Sequence, residues 1–249
     1  MASSMARTKK RPVSAAALER IWGSGGYRIF ISHKTEAKTT AAGIKSSLSA
    51  FGASCFVAHE DIHPAREWQD EIENALGSMD AFLALLTKRF HESDWTDQEV
   101  GFALGASVPI IALKLERNPY GFIAKFQALK CSVGSAPLEI VKLLVGQPRM
   151  REAYVGAVEE CRSFNHGNLL AEVLPSVKKL TGKQAKRLVA AFNSNSELSG
   201  SFGFRGSKPH VHGDGLAAHL RRITKSKFVL AEDNQIRSLS KKRSKSKKT

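Results

Sequence analysis

Between residues 27 and 145, short apolar runs alternate with amphipathic stretches, and this alternation constrains the fold more than any other feature of the chain. Residues 27–32 (YRIFIS) form a β-branched and aromatic run, and 53–58 a second one. Residues 81–87 (AFLALLT) are apolar until the final threonine, and 108–115 are entered through Pro109. Runs of this length and composition read as strands. Between them, apolar residues recur at helical spacing. Ala42, Ile44, Leu48 and Phe51 mark a helix over 38–51 that Gly52 ends. Trp68, Ile72, Ala75 and Leu76 mark one over 67–76, and Val100, Ala103 and Leu104 one over 93–104. Strands and helices alternating at this spacing build right-handed βαβ units, hence an α/β fold with a parallel sheet. After turn chemistry at Asn118-Pro119-Tyr120-Gly121, residues 122–129 are predicted as a short helix or loop. A fifth strand follows over 130–133, and a closing helix over 137–145.

In an open parallel sheet, ligands sit beyond the carboxyl ends of the strands where strand order reverses. With five strands ordered 2-1-3-4-5, that point lies between the first strand and the third. The segment leaving the first is Ser32-His33-Lys34; the segment leaving the third runs from Lys88 to Trp95 and delivers Glu99. Ser93 is placed to cap that helix, and Asp94 and Asp97 suit the positive end of its dipole. Trp95 and Glu99 are four apart and share a face. Taken alone, the pair is most simply a core tryptophan beside a solvated acid. The topology brings the acid to the expected ligand site and favours function instead.

The formal net charge of +15 is unevenly placed. Residues 236–249 carry seven Lys/Arg and no acid, and the first twenty carry a further +4, which leaves +4 on the body between. Basicity confined to two low-complexity ends reads as solubilising tails rather than a specific nucleic-acid surface. Cys55, Cys131 and Cys161 form no CxxC pair, as expected of a reducing, cytoplasmic setting. No run reaches membrane-spanning length. The expected organisation is a basic flexible tail over 1–25, an α/β domain over 26–147, a small, mainly helical domain over 148–235, and a basic disordered tail over 236–249. In the third part, helices are predicted over 149–164, 169–180, 183–193 and 216–223, with Pro175 interrupting the second and a glycine-rich loop over 199–215.

His59-Glu60-Asp61-Ile62-His63 fits the HExxH pattern of zinc proteases. That chemistry needs both histidines on one helical face. Here the preceding residues are strand-like, and Pro64 pushes His63 out of helical geometry. The five residues read as a loop over the strand ends. His210 and His212 have no further ligands at suitable spacing, so no metal site is expected.

Residues 27–147 resemble a TIR (Toll/interleukin-1 receptor) domain. Arg28-Ile29-Phe30-Ile31-Ser32-His33 matches the first strand, 56–67 the second strand and BB loop, and 93–104 the third helix. The FVAHEDI…EW…I…AL run is also similar to bacterial stand-alone, Thoeris-like TIR proteins of antiphage defence. The resemblance implies a flavodoxin-like fold. Trp95 and Glu99 look like the tryptophan and catalytic glutamate of the NAD-cleaving members. With NAD as substrate rather than cofactor, the substrate-binding candidates are Ser32, His33, Lys34, His59, Glu60, Asp61, Asp94 and Trp95. One departure is Ala58, where animal members commonly open the loop with aspartate. The expected partners are other copies of the chain, through TIR–TIR contacts, and an effector that senses the nucleotide product. The competing class is a non-catalytic adaptor acting by assembly alone, which has no need of the Trp95–Glu99 pair.

Overall fold

A computed structural model describes residues 13–58, 68–224 and 227–239. It divides into two compact units, Met1–Ser49 with Ala53–Pro137, and Ala50–Gly52 with Leu138–Thr249.

The first unit opens with a helix, α1 (Ala15–Trp22), capped by the Ser14 hydroxyl, which accepts from the Ala17 N–H. Strand β1 (Tyr27–Ser32) leads to α2 (Lys38–Ser49), β2 (Ala53–Val57), α3 (Trp68–Ser78), β3 (Ala81–Leu86), α4 (Asp94–Ala106) and β4 (Ile110–Lys114). The four strands are parallel in the order β2-β1-β3-β4. Phe30 of β1 stands in register with Phe56 on one side and Phe82 on the other, with ring centroids 5.4 and 5.7 Å apart. Trp22 meets Phe56 edge-on at 6.3 Å, so α1 extends this aromatic row past the edge of the sheet. Each fully buried ring contributes about 1.5–3 kcal/mol, an upper bound for a compact unfolded chain.

Three expectations are corrected here. Residues 15–22 are not part of a flexible tail. Ala17, Ile21 and Trp22 are buried, the Trp22 Nε1–H donates to Ser78 Oγ at 2.8 Å, and Arg20 pairs with the buried Glu71. No fifth strand forms over 130–133. Leu129 makes one isolated bridge to Leu113, and Ser132 then turns the chain by accepting the Ser135 N–H on its hydroxyl and its carbonyl. Such local serine bonds compete with a strand ladder. In α2 the buried stripe is Ala41, Ile44 and Leu48, while Ala42 stands half-buried beside it.

The second unit contains α5 (Ala136–Leu144, from Leu138 onward), α6 (Pro148–Glu159), α7 (Phe164–Ala171) and α8 (Gly182–Ser194). Three short helices follow, α9 (Ser196–Gly200), α10 (Phe202–Arg205) and α11 (Pro209–His212), and then α12 (Gly215–Ile223). A hairpin of β5 (Lys227–Leu230) and β6 (Ile236–Leu239) closes it. Residues 236–239 are therefore strand, not tail, because Ile236 is buried and Asn193 bonds both its N–H and its carbonyl. The helix expected over 169–180 stops at Ala171, and Pro175 sits in a separate 3-10 turn. The region expected as a glycine-rich loop holds α9 to α11. Gly206 (φ +76°) and Gly215 (φ +85°) are required there, since a Cβ on either would fall within 2.9 Å of the other's backbone neighbourhood. Tyr154 is fully buried and donates to the Leu170 carbonyl at 2.9 Å. Arg187 clamps Glu152 and Glu159.

Candidate active site

At the carboxyl end of β1, Ser32 is 1% exposed and sits in register with Ala84 of β3. Its hydroxyl donates to Glu99 Oε2 at 2.5 Å. Glu99 is placed by α4, whose first turn is fixed in a way the sequence did not announce. Ser93 occupies the N-cap with extended backbone, but its side chain makes no capping bond. The buried Thr96 hydroxyl instead reaches the Phe90 carbonyl at 2.6 Å and the Ser93 carbonyl at 3.0 Å, tying the helix to the turn before it. Ala103 and Val100 are buried on the same helix, and Glu99 lies with them at 5% exposure.

The sequence put this acid at the edge of the apolar stripe; the fold puts it inside. Burial pushes the Glu99 carboxyl up to about 7, against the Ser32 hydrogen bond, which pulls it down. Side chains with displaced acidity in a cleft are functional candidates, because desolvation acts against the charged form unless a ligand compensates.

A small cleft of about 40 Å³ opens onto this carboxyl, lined by Ile31, His33, Ala58, Ser93, Trp95, Thr96 and Glu99. It gathers three of the candidate side chains, His33, Trp95 and Glu99, with Ser32 directly behind. Trp95, one turn before Glu99, is 38% exposed and lines the cleft. Lys34 is not in the lining: its Nζ pairs with Glu92 Oε2 at 3.1 Å, and Arg89 shares the same carboxylate. Asp94 is exposed and also lies outside the lining. His59, Glu60 and Asp61 fall outside the described residues, as does the whole HExxH pattern; Ala58, the last described residue before them, is on the cleft wall.

Sequence reasoning missed Thr96, whose only signal was its position three residues after Ser93. It also missed the group beside it. The Tyr120 hydroxyl donates to Asp97 Oδ1 at 2.5 Å, and Arg117 stacks over the Tyr120 ring while touching His91 Nδ1. This cluster fastens the loop after β4 to the first turns of α4. Among the described residues no group of three or more His, Cys, Asp or Glu is placed to hold a metal, and no helix is long and apolar enough to cross a membrane.

Residues 29–144 match the family model described as TIR domain. Comparison with curated proteins found no match. Among solved structures, the chain is similar to the TIR domain of the Toll-related receptor TRR-2 from Hydra magnipapillata, with a TM-score of 0.41 at 17% identity. That likeness covers 50% of this chain and 98% of that one. The matched stretch runs from within β1 to the end of α5, and over that stretch the chain is similar to a TIR domain.

Proposed function

We propose that the TIR domain cleaves the nicotinamide–ribose bond of NAD, with Glu99 as the catalytic residue. The observation that carries the reading is the buried Glu99 carboxyl, held by Ser32 and facing a cleft whose mouth is a half-exposed tryptophan. Nicotinamide in NAD is a cationic leaving group, so its departure needs little acid catalysis. The C1′–N bond breaks with its electron pair passing to the ring, and a ribose cation is left behind. A fixed carboxylate stabilises that cation as in glycoside cleavage. Ser32 occupies Oε2, leaving Oε1 to accept from a ribose hydroxyl, and the field strengthens as charge develops. Trp95 covers the pyridinium face by stacking, and His33 shapes the floor. Water then adds at C1′ and gives ADP-ribose with loss of a proton to solvent, or a hydroxyl of the same or another molecule adds and gives a cyclic or conjugated product. Burial raises the Glu99 carboxyl to about 7, and the substrate cation favours its charged form.

The same reading takes the active species to be a self-associated form built through TIR–TIR contacts, with the product acting as a signal to an effector. The test measures NAD loss by mass spectrometry across protein concentrations, for wild type and Glu99→Gln. Turnover per protomer should rise with concentration. In the variant it should fall by on the order of a hundredfold or more, since one preorganised electrostatic contact is worth about 3 kcal/mol. A folded Glu99→Gln protein that cleaves at the wild-type rate ends the reading.

A further inference from the structure

The TIR domain holds a second, larger cavity of about 700 Å³ that shares no lining residue with the Glu99 cleft. Its walls come from the 3-10 turn before α2 and the start of α2, the segment leaving β3, the end of β4 and the segments following it. Three cations reach it, Lys88, Arg89 and Lys114. Lys88 and Lys114 have no carboxylate partner among the described residues, and Arg89 must share Glu92 with Lys34. Two acids, Glu36 and Glu116, stand in the same wall, and Glu116 is engaged by the Lys88 backbone N–H at 2.8 Å. The wall therefore carries one positive charge in excess, which suits a single phosphate group and not a polyanion.

A second observation comes from Thr87, also in the wall. It is 5% exposed, and its Oγ1 has no hydrogen-bond partner among the described residues. A buried hydroxyl without a partner is costly, and a ligand oxygen is the kind of group that satisfies it. The volume lies within the range of about 300–1,000 Å³ typical of small-molecule sites and is far more than a bare phosphate fills. Glu36 and the Thr40 hydroxyl supply acceptors and a donor for a hydroxylated body beside the phosphate.

We propose that this cavity binds a small phosphomonoester of sugar size, its phosphate held by Lys114 and Lys88 and its hydroxyls by Glu36 and Thr87. The site is independent of NAD cleavage, and its test does not use that activity.

Cys131 lines the cavity and is half-buried, whereas Cys55 and Cys161 are buried. Alkylation of Cys131 by iodoacetamide, followed by peptide mass spectrometry on the full chain, therefore reports occupancy. Ribose 5-phosphate should slow the labelling of Cys131 severalfold and raise the melting temperature by a few degrees. It should act about tenfold more strongly than inorganic phosphate, and ribose at equal concentration should do neither. Lys114→Glu and, separately, the exposed Lys88→Glu should each lose the protection while keeping the unliganded melting temperature. Two outcomes overturn the assignment: no protection and no thermal shift with ribose 5-phosphate in wild type, or equal effects from ribose 5-phosphate and inorganic phosphate.

Discussion

Glu99 is where the chain accepts a cost. Its folded acidity near 7 lies above the unfolded carboxyl value of about 4.3, so folding retains a proton that the unfolded chain releases between those two pH values. Stability in that window falls as pH rises, and above 7 the full penalty applies, on the order of 3 kcal/mol. Glutamine removes the titration while still accepting from Ser32. The Glu99→Gln protein should thus melt higher than wild type at pH 8 and near wild type at pH 4, while losing turnover. A stabilising change that removes activity is the behaviour expected of a site paid for in stability. Ser32→Ala acts on the same group in the other direction. The serine bond favours the charged carboxylate, so its loss raises the Glu99 pKa further. If ionised Glu99 is the working form, the rising limb of the pH–rate profile for NAD cleavage should move to higher pH in that variant. An unchanged midpoint would sink the coupling.

Among the elements, α1 shows most clearly what a sequence withholds. Its helical stripe of Ala17, Ile21 and Trp22 is only two turns long, and a basic, low-complexity stretch precedes it. The partners that order it are remote: Ser54, Glu71 and Ser78 lie 32, 51 and 56 residues from their bonding partners in α1. No local pattern encodes such contacts. The strands of the sheet were legible because each is a continuous apolar run, and the observed order β2-β1-β3-β4 agrees with the doubly wound order taken as the premise. The fifth strand failed because Ser132 bonds locally, a choice that propensity does not rank. That Ser32, Trp95 and Glu99 come together at the carboxyl end of the sheet was legible from topology. The depth of Glu99 was not, since it depends on how closely the end of β1 approaches α4. The prediction at this scale concerns Trp22→Ala, which removes a buried ring and leaves Ser78 Oγ without its indole donor. It should lower stability by about 3–5 kcal/mol in denaturant titration. A loss within about 0.5 kcal/mol, the range of exposed substitutions, would return α1 to the status of a tail.

For the whole molecule, the division into two compact units with opposite buried titrations is the main fact. In the second unit His219 is buried, and burial, with Arg222 and Lys178 nearby, pulls its pKa down to about 4. The unfolded imidazole titrates near 6.5, so between about 6.5 and 4 the unfolded chain binds the proton and stability falls as pH falls. Glu99 gives the first unit the reverse slope over an overlapping window. Calorimetry from pH 8 to 5 should therefore show two transitions that move in opposite directions, and Glu99→Gln should flatten only one. Truncation separates the units in another way. Ending the chain after Leu239 keeps β6 and should leave NAD turnover within about twofold, a shift of roughly 0.4 kcal/mol. Ending it after Gln235 discards the buried Ile236 and both of its bonds to Asn193, and the second unit should melt measurably earlier.

The bond between Ser32 and Glu99 joins residues 67 positions apart. During synthesis the serine emerges first, and the glutamate follows only after two further strands and the helix between them have left the ribosome. Until then the cleft has one wall and no acid. A chain halted by a premature stop or a stalled ribosome before residue 99 therefore lacks the buried acid altogether, and under the proposed function such a fragment is inert: the order of translation delivers the reactive group last.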